Sequence, residues 1–223
     1  MHFVRSDHEP PSPEQMLEWQ RRISPPENEL PAGAGITALL SKTDDTAVGI
    51  SQVEVYSTGF RFTLAVRLRV LGPEVPPGSL FALVGGHGHP GLPVAAEDRL
   101  LFGIEYADGA RASTLEDFRM LGPGVLSPLT LTRQGGGSSG DLSANQTFWV
   151  SPLPPAGPVT FVLAWPAFGI TESRTEVDGE AIRAAADRST LLWPPQPPVE
   201  PTPPPPPVRP ATGWFASEDG DGV

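Results

Sequence analysis

No cysteine occurs among the 223 residues. Disulfides, iron–sulfur clusters, thiolate zinc sites and cysteine nucleophiles are therefore excluded, and the fold must hold by packing alone. The chain also lacks any run of about 18 uncharged apolar residues, and its opening MHFVRSDHEPPSPEQ has no apolar core of a signal peptide. Neither a membrane span nor secretion is expected, and the default location is cytoplasmic. Positive charge is scarce: 15 Lys and Arg stand against 26 Asp and Glu, and Lys42 is the one lysine. A net charge of −11 repels DNA and anionic membranes at long range, so nucleic acid is not an expected partner.

What the chain has in excess is proline and glycine, 29 and 24 residues. Together they approach a quarter of the sequence, about twice the ordinary share, which calls for many turns, for unstructured segments, or for both. Three segments follow from their distribution: an N-terminal arm at 1–30, a domain at 31–193 and a tail at 194–223.

In the arm, Ser12 as N-cap, Pro13 at the first helical position and Glu14 in the first turn predict a short helix over Pro13 to Ile23. Met16, Trp19 and Ile23 share one face, which docks on the domain. The strongest pattern in the domain is Phe60, Phe62, Leu64, Val66, Leu68 and Val70, alternating with Arg61, Thr63, Ala65, Arg67 and Arg69. Period-two alternation of this length predicts a strand with one buried face. A turn at Thr58 and Gly59 would set Val55 opposite Phe62 and Val53 opposite Leu64, with Glu54 diagonal to Arg61. Asp108–Gly109 predicts a second hairpin with a type I′ turn, after Phe102, Ile104 and Tyr106. Leu129 to Arg133 and Thr147 to Ser151 make a third pair around the GGGSSG loop, and Val159, Phe161, Leu163 and Trp165 form a further inward face. With Ile36 to Leu40 and Leu80 to Val84 the count is eight or nine strands. The expected fold is all-β, an antiparallel sandwich or partly closed barrel, rather than a parallel sheet with intervening helices. One C-terminal helix is expected at about 176–192, from the capping-box spacing of Thr175 and Asp178 and the stripe Ile182, Ala185, Ala186, Ser189, Leu192. PPQPPVEPTPPPPPVRP then predicts a disordered tail of polyproline II character, able to reach on the order of 50 Å.

No catalytic or metal constellation stands out, and no cofactor is expected. His87 and His89 lack companion ligands of suitable spacing, since His2 and His8 lie in the arm. Glu105, Asp108, Glu172, Glu176 and Asp178 supply carboxylates, but Asp108 and Asp178 already have turn and cap roles. The GGGSSG run lacks the lysine and following helix of a phosphate-cradling loop, and Ser138, Ser139 and Ser143 have no G-x-S-x-G setting. The binding candidates are Arg61, Arg67 and Arg69, an outward stripe that Glu54 and Gln52 could also explain by cross-strand pairing. Trp149, phased outward between Phe148 and Val150, could serve as a carbohydrate- or lipid-binding platform. Pro203, Pro206 and Arg209 form a P-x-x-P frame with a basic residue, as a ligand of an aromatic groove would.

The stretches TDDTAVGI (43–50), FGIEYADGARAS (102–113) and FWVSPLPPAGPVTFVLAWPAFGITESRTEVDGEAIRAAADRSTLLWPP (148–195) resemble a family of uncharacterised actinobacterial proteins. The likeness spans about residues 25–195 and implies a bacterial cytoplasmic setting without assigning any residue a role. The expected function is a non-enzymatic interaction or structural module that contacts a protein partner through a sheet edge or the proline tail. Two alternatives stand beside it: a small-molecule enzyme using loop carboxylates or histidines, and a carbohydrate- or lipid-surface-binding sandwich.

Overall fold

A computed structural model describes residues 11–72, 79–85, 95–116, 122, 127–135 and 137–194. His87, His89, Pro203, Pro206 and Arg209 lie outside the described residues. The Pro13–Ile23 helix, α1, forms as expected: Ser12 accepts from the Gln15 amide, and the Gln15 side chain accepts from the Ser12 amide. This reciprocal cap satisfies two amide groups that a helix start otherwise leaves without partners.

The fold is mostly antiparallel β-sheet, arranged as a sandwich and not as a closed barrel. Its larger sheet runs in the order β2 (Ala32–Gly33), β4 (Thr46–Tyr56), β5 (Gly59–Leu68), β10 (Ser143–Ser151), β8 (Thr130–Arg133). In addition, β3 (Ala38–Lys42) pairs with β4, and β9 (Ser138–Ser139) with β10. The smaller sheet runs β12 (Ile170–Val177), β11 (Val159–Trp165), β6 (Leu101–Tyr106), β7 (Arg111–Ser113). A third, two-stranded ribbon joins β1 (Glu29–Leu30) to β13 (Thr190–Leu191).

Between the two main sheets, the inward residues of β5 meet those of β6 and β11. Phe62 sits at the centre, with ring centroids 5.6 Å from Phe148, 5.8 Å from Phe102 and 5.2 Å from Phe161. Offset and edge-on contacts at such separations are favoured by the aromatic quadrupole and add to the hydrophobic gain.

Five local expectations are corrected. The first hairpin turns at Ser57–Thr58, and Val55 faces Phe60 while Glu54 faces Arg61 directly. The shift is two residues, which keeps every side chain on its predicted face; a slip of one would have inverted them. Asp108–Gly109 is not a type I′ turn: Gly109 alone has positive φ, 86°, and Tyr106 pairs with Ala110 across a three-residue loop. Leu80–Gly85 is a short helix, α2, not a strand, and is buried against β10. A short continuous apolar run has no period to distinguish the two states. The C-terminal helix, α3, is only Gly179–Ala186; Asp178 caps it, whereas Thr175 lies in β12, a strand that the sequence reading did not anticipate. Finally, β5 ends at Leu68, leaving Val70 53% exposed.

Candidate functional site

Two concave surfaces combine polar side chains from several elements. The first, a groove of about 730 Å³, lies on the outer face of the larger sheet between β4, β5 and the chain running from Pro25 to Thr37. Its floor is set by the register of β4 on β5. Glu54 and Arg61 are paired residues there, and the Arg61 Nε donates to the Glu54 Oε2. Both side chains remain over a third exposed, so the pair is presented to the groove. Desolvation works against the Arg61 charge, but the Glu54 hydrogen bond and nearby charges outweigh it and hold its pKa above the ordinary value. The Arg61 guanidinium also lies over the Tyr56 ring, 5.6 Å from the centroid.

The β4 strand carries a bulge just beside this pair: between Ser51 and Glu54 the register slips by one, so Gln52 and Val53 together oppose Phe62. Gln52 takes φ 53°, the one positive value at a non-glycine among the described residues. Its side-chain Oε1 accepts from the Thr63 hydroxyl at 2.9 Å. Thr147 of β10 and Gln134, just after β8, complete the far wall. Gln134 Nε2 donates to the Ile23 carbonyl at 2.8 Å, which ties the end of α1 to the rim.

Alternate residues of β8 continue that tie. The Thr130 and Thr132 hydroxyls donate to the Arg22 and Ile23 carbonyls at 2.9 and 3.0 Å. Helix C-termini leave carbonyls without intrahelical partners, and a period-two row of donors on one strand face meets them.

Trp149 lies on this same outer face, opposite Arg61 and Thr132, as the phasing predicts. It is no exposed platform, however: the side chain is fully buried, packed edge-on against Tyr56 at 5.6 Å under a face that α1 covers. The strand period gives a residue's face, and only the tertiary packing says whether that face is open. Trp165 is buried in the core as expected, its indole N–H donating to the Asp98 carbonyl at 2.8 Å.

The structure spreads the arginine stripe along the strand, each arginine in its own surroundings. Arg67 lies six residues beyond Arg61, about 20 Å along an extended strand, and its NH1 donates to the Asn145 Oδ1 and the Val66 carbonyl. Arg69 falls past the strand end, on the exposed surface. For Arg61 the cross-strand explanation holds, through Glu54; Gln52 bonds Thr63 instead.

The second concavity, about 440 Å³, lies on the outer face of the smaller sheet. Leu101, Gly103, Val162 and Ala164 form an apolar floor, and Leu115, 75% exposed, stands at its rim. At one end the Glu105 carboxylate bridges Arg174, at 2.7 Å, and Arg111, at 3.3 Å. The Arg174 hydrogen bond, seconded by the Arg111 charge, holds the Glu105 pKa below the usual carboxylate range. A carboxylate so held stays ionised, which suits an ion-pair anchor and not a proton donor. Glu172 and Glu116 line the other end. Asp108 instead accepts from the Ala110 amide in its turn, and Asp178 from the first amides of α3. Among the described residues no three histidine, aspartate or glutamate side chains are placed to share a metal ion, and no helix is long and apolar enough to cross a membrane.

The sequence reading singled out Arg61, Glu54 and Glu105 but missed the Gln52 bulge, the Thr63–Thr147–Gln134 wall and the two arginines that meet at Glu105. Comparison with protein-family models, with curated proteins and with solved structures found no match to this chain.

Proposed function

We propose that this chain is a non-enzymatic β-sandwich interaction module of the cytoplasm, which docks a protein partner on the outer face of its smaller sheet. The observation that carries the reading is the bare face of that sheet. The outer face of the larger sheet is partly covered by α1, whereas no described element lies over Gly103, Val162 and Ala164. An apolar strip with an exposed leucine at its rim, bordered by the Glu105–Arg111–Arg174 cluster and two further glutamates, has the apolar centre and charged margin of a protein-binding surface. The proline-rich tail, leaving the domain after the β1–β13 ribbon, would supply a second contact of the polyproline type.

The test is affinity capture from a bacterial lysate with three proteins: the full chain, the full chain carrying Ala164→Arg and Leu115→Glu, and a chain ending at Pro194. The reading expects a partner held by the full chain and lost with the double variant. A partner retained by the double variant and lost on truncation assigns recruitment to the tail. Loss of nothing in either variant rejects both surfaces.

A further inference from the structure

We infer that the groove on the outer face of the larger sheet binds an uncharged, polyhydroxylated ligand, a short neutral oligosaccharide. This does not depend on protein docking at the smaller sheet, since the two concavities share no residue.

The first support is the backbone of Gln52. The leading position of a β-bulge that requires positive φ is where glycine is cheapest, because a side chain there crowds the backbone. A glutamine in that conformation, at φ 53° and in the wall of the larger of the two concavities described above, is an outlier whose side chain is not needed to build the bulge. Such outliers concentrate where a side chain must be aimed. The Thr63 hydroxyl fixes the Gln52 carboxamide by its oxygen, which leaves the Nε2 donors for the groove.

The second support is the chemistry of the walls. Glu54 and Arg61 neutralise each other, and the remaining polar side chains of the lining are carboxamides and hydroxyls: Gln52, Gln134, Thr37, Thr63 and Thr147. A free anion would have to compete with Glu54 for Arg61, and a free cation with Arg61 for Glu54. Sugar hydroxyls both donate and accept, so they can use a balanced set of carboxamide, hydroxyl and paired-ion groups without displacing either charge. The volume, 730 Å³, falls in the range of small-ligand sites. The buried position of Trp149 removes the aromatic platform, so recognition here rests on hydrogen bonds, and affinities are expected in the millimolar range.

Gly33 provides a clean block. It lines the groove on β2, its φ is not in the left-handed region, and a Cβ built on it meets nothing within 4 Å. Gly33→Phe should therefore fill the groove from the rim without forcing the backbone. Amide shifts in the full-length protein would be followed by NMR during titration with cellohexaose and with maltohexaose, with oligogalacturonate as the charged control. The expected result is a saturable shift around Gln52, Thr63 and Thr147 with one of the neutral probes. Affinity should fall at least about tenfold in Gly33→Phe and in Gln52→Gly, with the core signals of both unchanged. Should Gly33→Phe fail to fold, Gln52→Gly carries the test alone, since glycine suits its backbone. No shift with either neutral probe at about 10 mM, shifts that persist in the variants, or equal binding of the charged control would each overturn the inference.

Discussion

At the scale of single residues, close approach matters more than turn chemistry. Gly59 looks like a turn glycine, yet its φ is not positive; it is there because a Cβ would lie 2.2 Å from the Val150 carbonyl and 2.7 Å from the Trp149 ring. Gly59→Ala is expected to destabilise by about 1–3 kcal/mol, as overpacking does, measured by urea unfolding. Burial raises the Tyr106 phenol well above its usual pKa, with the Asp108 charge adding to it, and the hydroxyl donates to the Pro152 carbonyl at 2.6 Å. A tyrosine whose folded pKa exceeds its unfolded value keeps its proton in the native state while the unfolded chain ionises. Stability should thus fall as pH rises above about 10, and Tyr106→Phe should weaken that dependence, leaving the part due to Tyr56, whose phenol pKa burial also raises. Glu105 runs the other way: its folded pKa is depressed, so its contribution is present above about pH 4.3, the unfolded value, and is lost as pH falls through the folded pKa. The difference in Tm between the wild type and Glu105→Gln should therefore shrink on acidification, in thermal scans from neutral pH down to about pH 3.

Elements show what pattern can and cannot carry. Helix α1 was legible to the residue because its signals are local: a serine cap, a proline at the first turn and an apolar stripe. Ser12→Ala should cost about 1 kcal/mol if α1 docking is part of the cooperative unit, and it should change the tryptophan fluorescence, since Trp19 lies on α1 and α1 covers the face that holds Trp149. An unchanged unfolding curve would instead show α1 fraying independently. Strand β5 was legible for the same reason, through its alternation. The bulge in β4 also leaves a trace in sequence, because the inward residues step 48, 50, then 53, 55, a break in period two that an inserted residue repairs. By contrast, β12 and α2 were not legible. The edge strand β12 reads ITESRTEV, polar on its open side as edge strands often are, and so lacks a clear hydrophobic period. The helix α2 is LFALVG, buried nearly throughout, and so lacks a polar face to mark its turn.

For the whole molecule, stability converges on the contact between the two sheets. Phe62 touches Phe102 and Phe161 across the sandwich and Phe148 beside it, so Phe62→Ala should cost about 3–5 kcal/mol and lower the unfolding midpoint more than any surface change named above. The chain's last described contacts are the β1–β13 ribbon and the bond from the Asn28 Nδ2 to the Trp193 carbonyl. Ending the protein at Pro194 should leave its Tm unchanged, whereas ending it before Ser189 should lower the Tm by removing that ribbon. The sequence by itself determined the β class, the core strand and its faces, the position of the first helix and the boundary of the proline segment. These depend on periods, caps and composition, which act over a few neighbouring residues. Only the tertiary structure decided that Trp149 is covered, that Glu105 gathers Arg111 and Arg174, and that Gln52 stands strained beside Arg61. Each of those depends on the register between strands or on the packing of a helix against a sheet, and such long-range placements are selected by the fit of whole faces, which no local pattern contains.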